Sequence, residues 1–514
     1  MDTQCFRRLA RKPLVACLAT ALVLGAGSAS ATASRHVAPL EAAILDRVNN
    51  GDPPPLPDWW KQPDPAEIAQ RWHPAPHPSP EVPAGSIVVQ NCNDSGAGSL
   101  RQALNDAVSG QTIDLTQLSC SSITLTTGSL LFTQTSITLQ GPGSKYLEIN
   151  GGDTYAPLLH NGLGTLYIDG LSIEHGAKYF TSAQLDDARG GCIFSGGEVY
   201  VTNSVIAYCQ TKETDPTHRP LGGAIYAYTG VTLSNSSVID SSAIGAHGAG
   251  GGVFSPGFIV LSDSFLSGNY SRDYGGGAYS TDMSVKYSTI ENNRTYGAGG
   301  GLYLAGNATI TNSTIDHNSA GFAGGIRMNA LNATVPATLL NSTISNNVAF
   351  GNAGGFVGDY ANVRVANSTI AFNYDTATTK YGAGLYVYGT VDFESTIVAG
   401  NTYAGGSAPD DIGGNATAVI TGNNNLIGFS QVPPPAGTIE LESPMLGQLA
   451  FNGGSTQTLM LLSGSPAIDT GNDTAGVAFD QRGSGYARTI GGGTDIGAYE
   501  LDTNDLIFAN GFDP

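Results

Sequence analysis

Two pairs of adjacent aspartates and one histidine between small residues are the parts of this sequence that could hydrolyse a glycosidic bond. The pairs are Asp186-Asp187 and Asp410-Asp411, and His247 stands between an alanine and a glycine. Glycosidases use two carboxyl groups, one that protonates the leaving oxygen and one that activates water or attacks the sugar. These aspartates and the histidine form only an incomplete set of hydrolase residues, and an isolated pair of aspartates in a loop is usually a solvated turn. The sequence therefore favours turns over a hydrolase at these positions.

A polysaccharide lyase would need carboxylates that hold Ca²⁺ and an arginine or lysine that acts as the base. Arg189 follows Asp186 and Asp187 closely and forms the best candidate group, although a surface ion pair is the more common role of such residues. We expect no cofactor. The alternative is Ca²⁺ near the C-terminus, where the spacing is not that of a known calcium loop and where aspartate before glycine is ordinary turn chemistry. The acidic residues concerned are Asp469, Asp480, Asp495 and Glu500.

Two tyrosines and an arginine form the candidate binding site. A glycine pair recurs along the chain, and Tyr279, Tyr303 and Arg327 fill the second slot after it in three successive copies. Because arginine inside a hydrophobic coil would be costly, we expect the first slot to face inward and the second outward. Stacked tyrosines on a flat sheet can bind sugar rings or another protein, although stacking that only stabilises the sheet is more common. The first slot holds Cys192, Ala224, Val253, Ala278, Leu302, Ile326, Phe356 and Leu385, and the second holds Ile193, Ile225, Phe254, Tyr279, Tyr303, Arg327, Val357 and Tyr386.

The glycine pairs mark the repeat that must position these side chains. From Gly191 to Gly384, the second glycine recurs at intervals of 24 to 32 residues, which is typical of stacked coils with variable loops. Two apolar columns run through the copies, always five residues apart. An odd separation on a straight strand would put them on opposite faces, so a corner must lie between them if both are buried. The columns are Val201, Leu233, Leu261, Val285, Ile310, Leu339 and Val365, and Ile206, Val238, Leu266, Ile290, Ile315, Ile344 and Ile370, with Asn203, Asn235, Asn312, Asn341 and Asn367 at the corner.

A second set of asparagines follows the second column by three residues in five successive copies. Asparagine tolerates left-handed turns, and amides stacked about 4.8 Å apart can hydrogen-bond from one coil to the next. We therefore predict an asparagine ladder. Its members are Asn269, Asn293, Asn318, Asn347 and Asn373.

Upstream of the repeat, the segment from Ser99 to Ala107 is the one convincing amphipathic helix. Leu100 and Leu104 share one face with two alanines, and Ser99 and Gln102 have the spacing of a capping box. From Thr112 onward the apolar residues recur with period two between glycines, asparagines and aspartates, which is typical of short strands. The predicted fold is all-β: a parallel β-helix with an N-terminal helical cap and a short C-terminal β region.

The N-terminus indicates export. Residues 1–33 have the basic start, apolar run and small-residue end of a signal peptide, and we expect no transmembrane segment in the mature chain. Removing them leaves 18 basic and 41 acidic residues, a net charge of −23 that disfavours nucleic acid as a partner. Residues 34–85 form a proline-rich linker that contains all three tryptophans. These tryptophans, Trp59, Trp60 and Trp72, either dock on the folded domain, which we favour, or bind another surface.

Four cysteines remain after export: Cys92, Cys120, Cys192 and Cys209. An even number in an oxidising compartment permits two disulfides, and we favour the pairing of cysteines that are neighbours in sequence. That pairing joins the first cysteine to the second and the third to the fourth. The alternative is a set of buried free thiols.

Three segments resemble known bacterial β-helix proteins. The repeats at 190–401 are similar to those of polymorphic outer membrane proteins and their relatives with the pectin-lyase-like fold. NCNDSGAGSLRQALNDA resembles the N-terminal segment with a C-S-L-R-E-A signature, although here it reads S-L-R-Q-A. FNGGSTQTLMLLSGSPAIDTGN, DQRG and DIGAYE resemble the end region of "choice-of-anchor" proteins, and DLIFANGFDP resembles a terminal tag on exported proteins of some Gram-negative bacteria. The resemblance implies a right-handed helix and a location outside the cell or at the outer membrane.

These observations give the domain boundaries and a function. The β-helix spans 86–430, the C-terminal end region 431–500 and the terminal tag 501–514. We expect a secreted or cell-surface scaffold without catalytic activity that binds or adheres to polysaccharide or to a protein of another cell surface. The alternative is a carbohydrate-active enzyme of the pectin-lyase-like class, a lyase or a hydrolase. The sequence leaves the oligomeric state open.

Overall fold

The computed structural model describes residues 85–179, 188–213, 215, 217–329, 337–359, 362–404 and 409–502. The predicted signal peptide, nearly all of the linker, Asp186, Asp187 and most of the terminal tag lie outside these residues. The predicted helix is present as Leu100–Asp106, and its first turn is capped because Ser99 accepts a hydrogen bond from the backbone N–H of Gln102. This helix buries Leu100, Ala103 and Leu104. Among the described residues, no helix is long and apolar enough to cross a membrane.

The rest of the described chain is a right-handed parallel β-helix of about 11 coils, which confirms the predicted fold. Three parallel sheets run along it. Sheet A has 22 strands, commonly two in each coil on either side of a bend, sheet B has 13 and sheet C has 9. Two antiparallel hairpins, Leu446–Ala450 with Thr458–Leu461 and Thr489–Ile490 with Gly493–Thr494, form the predicted C-terminal β region.

The strands of sheet A are Ile87–Val88, Thr112–Asp114, Leu130–Phe132, Ile137–Gln140, Leu158–His160, Thr165–Asp169, Ile193–Ser195, Glu198–Thr202, Ile225–Ala227, Gly230–Ser234, Val253–Ser262, Ala278–Lys286, Leu302–Leu304, Ala308–Thr311, Ile326–Asn329, Ala337–Leu340, Phe356–Asp359, Val363–Ala366, Leu385–Val387, Thr390–Glu394, Ile412–Gly414 and Val419–Asn423. Those of sheet B are Ser122–Thr124, Glu148–Asn150, Ser172–Glu174, Val205–Ala207, Ser237–Ile239, Phe265–Ser267, Thr289–Glu291, Thr314–Asp316, Thr343–Ser345, Thr369–Ala371, Ile397–Ala399, Leu426–Ile427 and Ile439–Glu440. Those of sheet C are Ala177–Tyr179, Gln210–Lys212, Ser242–Ile244, Tyr270–Ser271, Arg294–Thr295, Ser319–Ala320, Val348–Ala349, Tyr374–Asp375 and Thr402–Tyr403.

The two predicted apolar columns fill the interior of the helix. Val201 lies opposite Leu233 in sheet A, and Ile206 lies opposite Val238 in sheet B, with the same register in the following coils. All fourteen side chains are buried. The corner between the columns turns at asparagines with left-handed backbones, such as Asn312 with φ of 50°, a conformation that asparagine adopts more readily than most residues.

The predicted asparagine ladder is present and fully buried. The Nδ2 atom of each member donates to Oδ1 of the next, at 2.9 to 3.0 Å, from Asn269 to Asn373. The ladder continues through Asn401 and ends at Asp411, whose Oδ1 accepts from Asn401 at 2.8 Å. A carboxylate can end the ladder because both of its oxygens are acceptors, and Asp411 Oδ2 accepts from the backbone N–H of Phe429.

The asparagine side chains pack against the glycine corner. A Cβ at Gly301 would lie 2.8 Å from the carbonyl oxygen of Gly325 and 3.1 Å from Asn318, so this position requires glycine. Two coils upstream of the ladder, Cys209 and Cys192 occupy the places of asparagine and glycine, and their Cα atoms lie 5.5 Å apart. A cysteine pair at disulfide distance therefore replaces the asparagine–glycine contact.

This substitution corrects the predicted register of the first two copies. Cys192 and Ala224 take the place of the third glycine of later copies, so each couplet begins one residue later than predicted. Ile193 and Ile225 consequently face inward; Ile193 lies opposite Ile225, which in turn lies opposite Val253. The other predicted cysteine pair, Cys92 and Cys120, also lies at disulfide distance, with Cα atoms 6.4 Å apart. The remaining first-slot residues face the core, as expected.

The C-terminal end region folds back along the outer side of sheet B. Gln481 receives a hydrogen bond from Thr343 Oγ1 at 2.6 Å, and Thr314 Oγ1 donates to the carbonyl of Gln457 at 2.6 Å. Further along, the backbone N–H of Ala498 donates to Thr369 Oγ1. The outer side of this half of sheet B is therefore occupied by the chain itself, whereas sheet A has the most strands of the three sheets.

Candidate binding faces

The second slot after the glycine pair forms a continuous aromatic ladder on the outer side of sheet A. We define it as the rings of Phe194, Tyr226, Phe254, Tyr279 and Tyr303. Successive rings are nearly parallel, with interplanar angles of 7 to 12° and centroids 4.9 to 5.7 Å apart. The corrected register adds Phe194 and Tyr226 to the predicted group. The faces of the inner rings are consequently covered by neighbouring rings, and only edges remain for another molecule.

The ladder is also covered from the side. A row of isolated bridges from Arg189 through Tyr274 to Phe322 runs along it, and the Tyr274 ring lies edge-on to Tyr303 at 5.0 Å. Tyr303 is 9% exposed and Arg327 is 3% exposed, with its guanidinium 4.3 Å from the centroid of Phe322. Burial raises the pKa of Tyr279 to about 12. Tyr279, Tyr303 and Arg327 do share one outer column, but their contacts are those of a packed structural layer.

A different pair of tyrosines, Tyr167 and Tyr200, was not predicted from the sequence. They lie on the row formed by the second of the two strands that each coil contributes to sheet A. Their centroids are 5.8 Å apart and the rings are tilted by 42°, so neither covers the other completely. Tyr167 is 42% exposed. The two rings line a shallow groove of about 420 Å³. The signal in the sequence was the shared pattern of TLYID and EVYVT, in which each tyrosine stands between two inward aliphatic residues.

Polar groups border this groove and continue along the same row. Asp169 Oδ1 accepts from Thr202 Oγ1 at 2.7 Å and from Asn203 Nδ2 at 2.8 Å, which fixes these three side chains at one edge. Further along, the same row forms a second groove of about 510 Å³. Its lining residues are Thr309, Thr338, Asn362, Val363, Arg364, Thr390 and Asp392. In register with Tyr167 and Tyr200, successive coils present hydroxyl groups at some positions and other side chains elsewhere; the order is Thr232, Val260, Ser284, Thr309, Thr338, Arg364 and Asp392.

Among the described residues, His247 and the pair Asp410-Asp411 of the predicted hydrolase elements do not come together. Asp410 and Asp411 are both 0% exposed and accept backbone hydrogen bonds, Asp410 from Tyr381 and Gly382. Burial raises the pKa of both, that of Asp411 to about 7. His247 bonds instead to Asp273, and six steps between coils, from Ser241 to Asn401, separate it by about 30 Å from the aspartate pair, since Asp411 bonds to Asn401.

Arg189, the candidate base of a lyase, contacts aromatic rings. It donates to the hydroxyl of Tyr228, and its guanidinium lies 5.3 Å from the centroid of Tyr226 and 5.4 Å from that of Tyr228. Asp186 and Asp187 are outside the described residues. In the described part of the chain, Arg189 thus supports the aromatic ladder.

Three of the four acidic residues considered for Ca²⁺, Asp480, Asp495 and Glu500, hold the C-terminal end region together, whereas Asp469 is exposed. Asp480 accepts from Arg482 at 2.8 Å, and Glu500 accepts from Arg488 at 2.7 Å, with all four side chains 5% exposed or less. Burial raises the pKa of Glu500 to about 7. Both oxygens of Asp495 accept backbone hydrogen bonds, from residues 469 and 501. The DQRG and DIGAYE motifs are therefore the two halves of a buried ionic network.

Comparisons with known proteins give no independent support for a family. No family model matches the chain, and no curated protein matches it. The resemblance to pectin-lyase-like and choice-of-anchor proteins stays a prediction from the motifs, and function must be argued from the geometry.

Proposed function

We propose that the chain is an exported β-helix scaffold without catalytic activity that binds polysaccharide through the outer side of sheet A. The observation that carries this proposal is the tilted pair of Tyr167, which is exposed, and Tyr200, which is half-buried, beside threonine hydroxyl groups that line the same groove. Aromatic rings stack on the apolar faces of sugars, and a polar border fixes the orientation of a ligand. The alternative ligand, a protein on another cell surface, would use the same long face for adhesion.

Charge narrows the class of polysaccharide. The mature chain has a net charge of −23, and Arg364 is the one cationic side chain that lines either groove. Asp169 contributes one carboxylate to the first groove, and Asp392 contributes one to the second. An acidic polysaccharide would be repelled by this face, so a neutral polysaccharide is the better ligand.

The catalytic alternative, a lyase or hydrolase, has less support from the geometry. Each groove of sheet A contains one carboxylate among its lining residues, whereas a glycosidase needs two that flank the same bond. Asp410 and Asp411 are buried acceptors of backbone hydrogen bonds and have no access to a polymer. The threonine hydroxyl groups that line the two grooves instead favour a surface that holds an extended chain.

The proposed place of action follows from the leader and the cysteines. The predicted signal peptide and the two cysteine pairs at disulfide distance support export to an oxidising compartment. The end-region and tag motifs support a location outside the cell or at the outer membrane of a Gram-negative bacterium.

An array of neutral and acidic polysaccharides tests the proposal. We expect the mature chain to bind a neutral polysaccharide, and the double variant Tyr167→Ala/Tyr200→Ala to bind about tenfold more weakly, which corresponds to about 1.4 kcal/mol. Tyr146 is 68% exposed and lines neither groove, so Tyr146→Ala is the matched control and should bind normally. Equal binding by the double variant would refute the assignment of this groove.

The tyrosines predicted from the sequence, Tyr279 and Tyr303, provide a second test of where the polysaccharide binds. Tyr279→Ala with Tyr303→Ala should leave binding unchanged once the protein is folded, because these ring faces are occupied by each other. Loss of binding in this variant, with normal circular dichroism, would return the site to the aromatic ladder.

A further inference from the structure

Glu148, Glu174 and His175 form a compact cluster on the outer side of sheet B, away from both grooves. One ligand atom of each side chain lies within 4.8 Å of the other two, the one such trio of His, Cys, Asp or Glu in the described chain. The glutamates come from adjacent strands, since the register places Asn150 opposite Glu174. His175 follows Glu174 directly with a left-handed φ of 54°, which turns the chain at the end of the strand.

Each side chain of the cluster is oriented by a neighbour that is not itself a member. Asn150 Nδ2 donates to Glu148 Oε1, and Ser172 Oγ donates to Glu174 Oε1. Asp153 Oδ1 lies 3.2 Å from His175 Nδ1. These contacts occupy one oxygen of each glutamate and leave the second oxygen of each for another ligand.

The imidazole is held on its face as well as its edge. The Tyr208 ring stacks on His175 with centroids 5.2 Å apart and an interplanar angle of 23°. A carboxylate at one ring nitrogen is the arrangement that orients histidines toward metal ions in proteins. The described chain contains three other pairs of histidine and aspartate, but none of them belongs to such a trio; they are His218 with Asp215, His247 with Asp273 and His317 with Asp316.

The cluster also carries uncompensated negative charge. Neither glutamate forms an ion pair with an Arg or Lys of the described residues. The two carboxylates stand on adjacent strands of the same sheet with a ligand atom of each within 4.8 Å of the other, so their charges repel. A bound cation would offset that repulsion.

We propose that Glu148, Glu174 and His175 bind a divalent first-row transition-metal ion. Two carboxylate oxygens and one imidazole nitrogen suit Zn²⁺ or Mn²⁺, whereas Ca²⁺ and Mg²⁺ are held by oxygen ligands. The ion links two adjacent coils to the turn that follows them. It is a structural cross-link, separate from the proposed polysaccharide face, and it does not depend on the function proposed above.

Zn²⁺ titration of the untagged mature chain, in competition with a chromogenic chelator after treatment with EDTA, tests this inference. We expect one tight site per chain and a higher melting temperature in the presence of Zn²⁺, since binding to the folded state stabilises it by mass action. Glu174→Gln and His175→Asn should each weaken binding at least tenfold. Asparagine tolerates the left-handed backbone of position 175, so this variant should fold.

His247→Asn is the matched control, because His247 is also left-handed and bonded to one aspartate. It should bind Zn²⁺ like the unaltered chain. The proposal is overturned if the unaltered chain fails to bind Zn²⁺ at millimolar concentration, or if Glu174→Gln and His175→Asn bind as tightly as it does. Binding of Ca²⁺ with no binding of Zn²⁺ would contradict the role of the imidazole.

Discussion

The asparagine ladder gives the sharpest prediction, because the contacts of one rung can be counted. The side chain of Asn318 makes four hydrogen bonds in a fully buried position. Nδ2 donates to the carbonyl of Ile290 and to Asn347 Oδ1, both at 2.9 Å. Oδ1 accepts from the backbone N–H and the side chain of Asn293, both at 3.0 Å. Asn318→Ala removes all four.

The cost is dominated by groups that lose their partner. The backbone N–H of Asn293 would be left without this acceptor in a dry interior, which costs about 1–3 kcal/mol. Asn347 Oδ1 keeps the N–H of residue 318, and Asn293 Nδ2 keeps the carbonyl of Leu266, so these losses are smaller. With the cavity left by the amide, we expect Asn318→Ala to lower the free energy of unfolding by about 3–5 kcal/mol.

Asn318→Ser is the matched control. Ser241 occupies the same column upstream, where its Oγ accepts from the backbone N–H of Cys209 at 3.2 Å. A serine at 318 should therefore restore the acceptor for the orphaned N–H, and we expect a loss of about 1–2 kcal/mol. Urea titrations followed by circular dichroism, with disulfides intact, measure both values. A loss below 1 kcal/mol for alanine, or equal losses for alanine and serine, would refute the reasoning.

Two further predictions concern buried charges. Burial raises the pKa of Asp375 to about 7, so its contribution to stability is complete below its ordinary pKa of 3.8 and is lost as pH rises through 7. Asp375→Asn should therefore stabilise the chain at pH 8 by about 2–4 kcal/mol and flatten the rise in stability on acidification. Urea titrations at several pH values measure both effects. Arg488→Met leaves the buried carboxylate of Glu500 without its partner, so it should lower the free energy of unfolding of the C-terminal end region by about 3–5 kcal/mol and expose this region to proteases. The additional change Glu500→Gln should recover part of that loss, because no unpaired buried charge then remains. Unchanged pH dependence in the first case, or no recovery in the second, would contradict the assigned electrostatics.

Most of the β-helix could be predicted from its sequence repeat. Columns of aliphatic residues five apart, with asparagine between them, specify a corner, and the recurring buried asparagine specifies the ladder. Both follow from local backbone preference and from the stacking distance between coils. The end of the ladder at Asp411 could not be predicted, because this residue follows Asn401 by only ten positions and aligns with Gly384 of the preceding coil, not with an asparagine of the ladder.

The candidate site was harder to predict because exposure depends on neighbours that are remote in sequence. The column of Tyr279 and Tyr303 was found, but the bridge row from Arg189 to Phe322 that covers its side was not. The register slip at Cys192 arose since a cysteine took the place of a glycine. The fold-back of the end region onto sheet B has no periodic signal, so the buried arginines of that region were not foreseen.

The central claim, that the chain holds a neutral polysaccharide on sheet A without cleaving it, is tested most directly by the fate of the polymer. The mature chain should be incubated with the polysaccharide that it retains best, and the chain length of the polymer should be followed by size-exclusion chromatography. We predict retention with unchanged chain length, weakened in Tyr167→Ala/Tyr200→Ala. Shortening of the polymer, or failure to retain any neutral polysaccharide, would contradict the account.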